Sequence, residues 1–232
     1  MWSRVPVGRP ERKETTMKLS LGNFMDVLNA PVARRGRLLL LVLIIPLFLS
    51  FFFPLWRIAM KAPQYPRGLH MDIYAYKLSG GNGGHDVTEL NELNHYIGMH
   101  KLDRAGVPEL GWIPFAFGAL ALLTLRVAAL GRVRDLVDLG VLIAYVTLFF
   151  FARFILMLYR YGHDLDPTAA LKLKPFMPVI VGSKQIANFT TQSYPLAGTV
   201  LTGIFAGGVI ALAVWHCLKA GPRADAMAEQ GR

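Results

Sequence analysis

Two histidines and a methionine fall within eight residues, Leu93-Asn94-His95-Tyr96-Ile97-Gly98-Met99-His100, in a chain otherwise dominated by long apolar blocks. Imidazole and thioether together are a donor set for copper, because thioether sulfur is too soft for zinc or magnesium to prefer it. His95 and Met99 stand four residues apart, so a helix through them sets both donors on one face. The polar regions also hold His70, Met71, His85 and His163, with Met60 close to a membrane span. A strand carrying Met71 or His70, or a loop carrying His163, would then complete a three- or four-coordinate site. The expected metal site is therefore copper, as Cu(I), held by His95 and Met99 with Met71, His70 and His163 as further donors. The competing reading is plainer: Met99 anchors its loop on the membrane surface while His95 bonds a backbone carbonyl.

Other chemistries find less support. A haem b between membrane helices needs histidines within the spans, and here His216 stands at the end of the last span with none inside any of them. One cysteine, Cys217, cannot form an intrachain disulfide, and no C-x-x-C-H run offers covalent haem attachment. Asp164 and Asp166 beside His163, or Glu89 and Glu92 near His95, are the candidates for acid-base work. They come without a Ser/His/Asp, P-loop or zincin pattern, so no enzymatic activity of the chain's own is expected.

The elements that must position these donors follow from the distribution of apolar residues. Hydrophobic residues make up 53% of 232, mean hydropathy is +0.39, and the apolar residues come in four blocks. Residues 38–56 are 19 in a row without a charge, enough to cross a hydrocarbon core of roughly 30 Å as a helix. Residues 111–130, 136–159 and 194–218 supply three more spans. The expected fold is an all-α membrane protein with four transmembrane helices, its two extracytoplasmic loops forming a small α/β cap.

Basic clusters set the orientation. Residues 1–37 carry eight Lys/Arg against three Asp/Glu, and Arg34, Arg35 and Arg37 abut the first span. Arg126, Arg132 and Arg134 crowd the turn between the second and third spans, and Lys219, Arg223 and Arg232 lie in the tail 219–232. The positive-inside rule places all of these, and both termini, in the cytoplasm. The net charge of +10 thus records topology, and no nucleic-acid partner is implied. Residues 57–110, with six Lys/Arg and six Asp/Glu, and residues 160–192 then form the two loops on the other side. In the first, the pattern predicts a strand over 71–78 and, after the glycines at 80–84, a helix with Asp86 as N-cap and Glu89 in the capping-box position. In the second, the stretches at 161–167 and 182–189 read as ordered turns. An Arg126–Asp138 ion pair accounts for two charges beside one turn, and Gly203-x-x-x-Gly207 is a helix-packing pattern.

Three loop motifs together resemble a family of small bacterial integral membrane proteins: Ala62-Pro63-Gln64-Tyr65-Pro66-x-Gly68-Leu69, Leu93-Asn94-His95-Tyr96-Ile97-Gly98-Met99 and Lys184-Gln185-Ile186-Ala187-Asn188-Phe189. The family is the one encoded in atypical (clade II) nitrous-oxide-reductase gene clusters. The resemblance spans residues 54–198 and leaves out the basic first 30 residues and the tail. It implies a multi-pass protein of the bacterial inner membrane that supports a periplasmic copper-dependent reductase, by handling copper or by delivering electrons. The implied partners are membrane lipids and either a periplasmic copper protein or other membrane redox subunits. The alternative function is a non-catalytic docking subunit of a membrane redox complex, with a transporter third because the spans lack a buried acidic or histidine relay.

Overall fold

The computed structural model describes residue 25 and residues 28–104, 106–186 and 189–230, with side chains as far as 219. The basic residues of 1–24, with Ala187 and Asn188 of the third motif, lie outside the described residues.

Among the described residues five α-helices and five strands follow in the order α1 (Arg34–Leu49), β1 (Trp56–Ala62), β2 (Tyr65–Ile73), β3 (Leu78–Gly80), α2 (His85–Tyr96), α3 (Glu109–Leu130), α4 (Val133–His163), β4 (Gly182–Ile186), β5 (Phe189–Pro195) and α5 (Ala197–Gln230). The expectation of an all-α protein is corrected by an antiparallel sheet of order β3-β2-β1-β5-β4. Its strands come from both loops. The strand expected over 71–78 is two strands separated by a turn at 74–77, and the turn-like stretch at 182–189 is most of a β-hairpin. Thr190, Thr191 and Tyr194 give β5 a β-branched and aromatic character that short windows of polar residues hide. β5 runs on to Pro195, so α5 starts at Ala197.

Among the described residues three helices are long and apolar enough to cross a membrane: Glu109–Leu130, Val133–His163 and the Ala197–Lys219 part of α5. α1 has 16 residues, about 24 Å of helix. The 19-residue block was expected to be helical throughout, but its last residues turn at 50–53 and enter β1 at Trp56. Pro46 has no N–H for the helical ladder, and Ser50, fully buried, ends the helix by donating from its hydroxyl to Leu47 O at 2.6 Å.

α1 and α4 each pack between α3 and α5, around a core that includes Leu40, Leu47, Phe117, Leu120, Leu136, Ile143, Phe205 and Val209. The outer faces are apolar as well, with Leu38, Phe48, Trp112, Phe115, Leu122, Leu148 and Phe149 all exposed. An apolar exterior of this extent suits lipid rather than water. The expected Gly203/Gly207 packing motif is not the contact used. A side chain at either glycine would meet nothing within 4 Å, whereas a Cβ on Gly208 would lie 2.5 Å from Leu43 Cδ2 of α1.

The basic clusters share one end of the bundle. Pro31 bridges Arg132, Val32 N donates to Gly131 O at 2.7 Å, and a Cβ on Gly36 would touch His216 at 2.8 Å. His216 thus packs on the first turn of α1, its Nδ1 2.9 Å from Leu212 O. The expected Arg126–Asp138 pair does not form: both residues are exposed, and the ion pairs among the described residues are elsewhere. Arg126 points away from the bundle near the end of α3, where a long side chain can reach the membrane surface unaided. Stability losses on replacing Arg126 and Asp138 by alanine should therefore add, within about 0.5 kcal/mol, in thermal unfolding of the two single variants and the double.

The sheet sits at the opposite end as a cap. β1 is central, pairing with β2 from Trp56↔Ile73 to Ala62↔Tyr65 and with β5 from Trp56↔Pro195 to Lys61↔Thr190. This register brings the β1–β2 turn and the start of β5 side by side at one rim. α2 lies against the sheet, and Leu69, Met71 and Ile73 alternate inward from β2 to meet Leu90, Val107 and Leu110.

Candidate functional site

Four methionines from four parts of the chain border one cavity in the cap. Met60 comes from β1, Met71 from β2, Met99 from the segment after α2 and Met157 from α4, around a space of about 100 Å³. Met60 and Met71 are 7% and 1% exposed, and Met99 and Met157 are half-buried. The rest of the wall is apolar and includes Ile58, Ile73, Leu93, Ile97, Phe176 and Phe189, with Asn94, Tyr161 and Thr191 contributing the polar atoms. Each thioether is placed by a separate constraint. Met71 follows from the alternation of β2. Met60 is the last residue of β1 before a register shift against β2, between Met60 and Ala62.

Met99 is held by the turn that closes α2. Gly98, at φ +76°, takes the left-handed conformation, and its carbonyl accepts Asp166 N at 2.8 Å. Met99 N then donates to Asn94 O at 2.8 Å. A Cβ at Gly98 would lie 2.9 Å from the Asp166 backbone, so glycine is required there by both torsion and space.

The expected histidine donors lie elsewhere. β-Alternation turns His70 away from Met71, and its ring Nδ1 is 3.4 Å from Asp86. Asp86 is buried and also accepts the His70 backbone N–H at 3.0 Å, instead of capping α2. The helix begins at His85 from Gly84 in the left-handed conformation, and Glu89 accepts the Tyr65 hydroxyl. His95 is exposed beside Asp166, whose carboxyl is held below its ordinary range by hydrogen bonds from Thr168 and, less strongly, by the His95 charge. His163 stacks on Tyr159, ring centroids 3.9 Å apart. Of the five expected ligands, Met71 and Met99 border the cavity while His70, His95 and His163 do not. Among the described residues, no group of three or more His, Cys, Asp or Glu side chains is arranged to hold a metal.

A second feature lies where the cap meets the bundle. A polar cleft of about 430 Å³ is lined by His100, Lys101, Asp103, Glu109, Arg153, Arg160, Tyr161 and Asp164, with Leu156 and Met157 as apolar wall. Arg153 donates from Nε and Nη2 to Glu109 Oε1 at 2.9 and 2.7 Å, while Glu109 Oε2 is buried without a partner. His100 Nε2 lies 3.0 Å from Asp164 Oδ2, and the Tyr161 hydroxyl donates to Lys101 O at 2.8 Å. Met157 and Tyr161 border both spaces.

Met157 and the Glu109–Arg153 pair were absent from the sequence reading. Glu109 as the first residue of α3 and Arg153 within the apolar run of α4 were the available signal, since charges at membrane depth usually find a partner. Comparison of the chain with protein-family models, with curated proteins and with solved structures found no match in any of the three.

Proposed function

We propose that the chain is an accessory protein of the bacterial inner membrane that supports a periplasmic copper-dependent reductase, the nitrous oxide reductase suggested by its loop motifs. In this reading the cap is periplasmic, both termini are cytoplasmic, and α1 is a short fourth span. The cap's part is to handle Cu(I). The single observation carrying the proposal is the convergence of Met60, Met71, Met99 and Met157 on one cavity.

Thioethers are neutral and soft, the donor type that favours Cu(I) over harder cations. Their chemistry suits a reduced copper ion that must be held without a fixed charge and released to a partner. Met71 and Met99 keep the places given them as donors, with Met60 and Met157 replacing the histidines. The ordinary role of such side chains is to fill irregular gaps in a core, and a ligand test separates the two. Competitive Cu(I) titration of the purified protein against a chromogenic chelator should show stoichiometric binding. It should be lost in Met71→Leu and Met99→Leu, near-isosteric changes that cost the fold under about 1.5 kcal/mol. His95→Ala should bind as the parent does. Absence of binding, or binding lost only in His95→Ala, would refute the methionine site.

One observation favours the docking-subunit reading instead. β4 is an outer strand of the sheet whose residues Gly182, Ser183, Lys184 and Gln185 are exposed, and such an edge presents backbone groups to which a partner can add a strand. A protein that binds no copper but co-purifies with a reductase through this edge would fit that role.

A further inference from the structure

The methionine cavity is closed, the polar cleft is open, and the two share a wall. None of the residues lining the cavity is exposed, whereas His100, Lys101, Asp103, Arg160 and Asp164 of the cleft all are. Met157 and Tyr161 of α4 border both spaces. The segment after α2 divides between them in consecutive residues, Met99 lining the cavity and His100 the cleft.

A bare ion crosses an apolar wall only at a large desolvation cost, so copper on its way to the cavity needs a new donor in reach before the last one lets go. The lining of the cleft narrows the choice. Asp103, Glu109 and Asp164 are hard oxygen donors, and Lys101, Arg153 and Arg160 balance their charge. Selection for Cu(I) therefore falls to donor type, and among the lining residues the suitable donors are one imidazole, His100, and one thioether, Met157.

His100 is placed as a ligand would be. Its Nε2 lies 3.0 Å from Asp164 Oδ2. With the proton on Nε2, the ring donates to that carboxylate and Nδ1 keeps its lone pair, the arrangement by which an outer carboxylate orients a metal-binding imidazole. Among the described residues no hydrogen bond engages Nδ1. The side chain is 54% exposed, and its ring meets Tyr161 edge-on with centroids 5.9 Å apart, so it stands between water and the shared wall.

We propose that the cleft is the port of the methionine cavity and that His100 is its entry ligand, receiving Cu(I) and passing it to Met157. The inference rests on the reading of the cavity as a Cu(I) site. Transfer is a ligand exchange in which a Cu–S bond to Met157 forms as the Cu–N bond to His100 breaks; copper stays Cu(I) and no proton leaves the protein. Met60, Met71 and Met99 complete the resting site, and release retraces the path. A port of this kind sets rates and leaves affinity alone, because the resting ligands are the methionines.

Stopped-flow spectroscopy of the purified protein tests it, with Cu(I) supplied as its bicinchoninate complex for loading and excess free bicinchoninate for release. Loading is read where it is first order in protein, so that dissociation of the chelate does not limit it. In His100→Gln, whose amide keeps a donor for Asp164, both rates should fall at least about tenfold, the scale on which changes around a metal ligand act, while the titrated affinity stays at the parent's value. Asp164→Asn, at a side chain 77% exposed, should slow both rates in the same sense. His163→Gln, which borders neither space, should leave them unchanged. Parent-like rates in folded His100→Gln, or in Asp164→Asn if the first variant does not fold, would overturn the port. A loss of affinity with faster release would overturn it too, since that is the mark of a resident ligand or a structural role. A parent protein that binds no Cu(I) in the equilibrium titration would refute the copper reading of the cavity itself, and the port with it, before any rate is measured.

Discussion

Gly162→Ala is expected to detach part of the second loop from the bundle, although it adds a single methyl group. Gly162 is buried near the end of α4, and a Cβ there would lie 1.9 Å from Phe176 O and 2.7 Å from Pro178 Cδ. The same glycine accepts Phe176 N at 2.9 Å, so the segment carrying Phe176 and Pro178 has no room to retreat without losing that bond. Overpacking of this kind costs about 1–3 kcal/mol, and the hydrogen bond about 1 kcal/mol more. Phe176 and Pro178 also wall the methionine cavity, so the cavity should open as the segment shifts. Thermal unfolding in detergent should show a clear loss of stability, with new protease cleavage between residues 164 and 181. Gly118→Ala on α3, where an added Cβ meets nothing within 4 Å, should leave both unchanged. A Gly162→Ala protein that melts and resists protease like the parent would mean that the segment does not pack on α4 as described.

The second large effect concerns pH. A copper site built from imidazoles must release protons from its ligands, and it weakens by about tenfold per histidine for each pH unit below a pKa near 6.5. Thioethers carry no proton. If Cu(I) is held by Met60, Met71, Met99 and Met157, its affinity should change less than about threefold between roughly pH 7.5 and 5.5, well under the loss a histidine site would show. The result is read by repeating the chelator competition at both values with the chelator's own pH dependence subtracted. A fall of about tenfold or more would return His95, His70 or His163 to the ligand set.

The sequence showed the spans through their hydropathy and the common end of the bundle through its arginines. α3 and α4 follow the apolar blocks to within a few residues, and the basic flanks meet around Gly131 and Gly36. The sheet was harder to see because its pairing is long-range. β5 lies beside β1 across more than a hundred residues, and β4 is a polar edge with no apolar alternation to mark it. α1 was overextended because Phe51, Phe52 and Phe53 continue the apolar run while the backbone turns. The lining of the methionine cavity was half legible for the same reason. Helical spacing brought His95 and Met99 to notice, but the exposed face of α2 takes His95 outward and the Gly98 turn takes Met99 inward. Adjacent residues of β2 face opposite ways, so Met71 borders the cavity and His70 does not. Met157 lay inside a span, where a methionine reads as lipid-facing or core packing until the cap is placed above it.

The most direct test of the copper account is X-ray absorption at the copper edge on the protein loaded with one equivalent of Cu(I). Thioether ligation predicts an edge typical of the reduced ion and a nearest shell fitted by sulfur alone, reduced in sulfur number in Met71→Leu. A nearest shell of nitrogen or oxygen, or a sulfur shell indifferent to Met71, would contradict it.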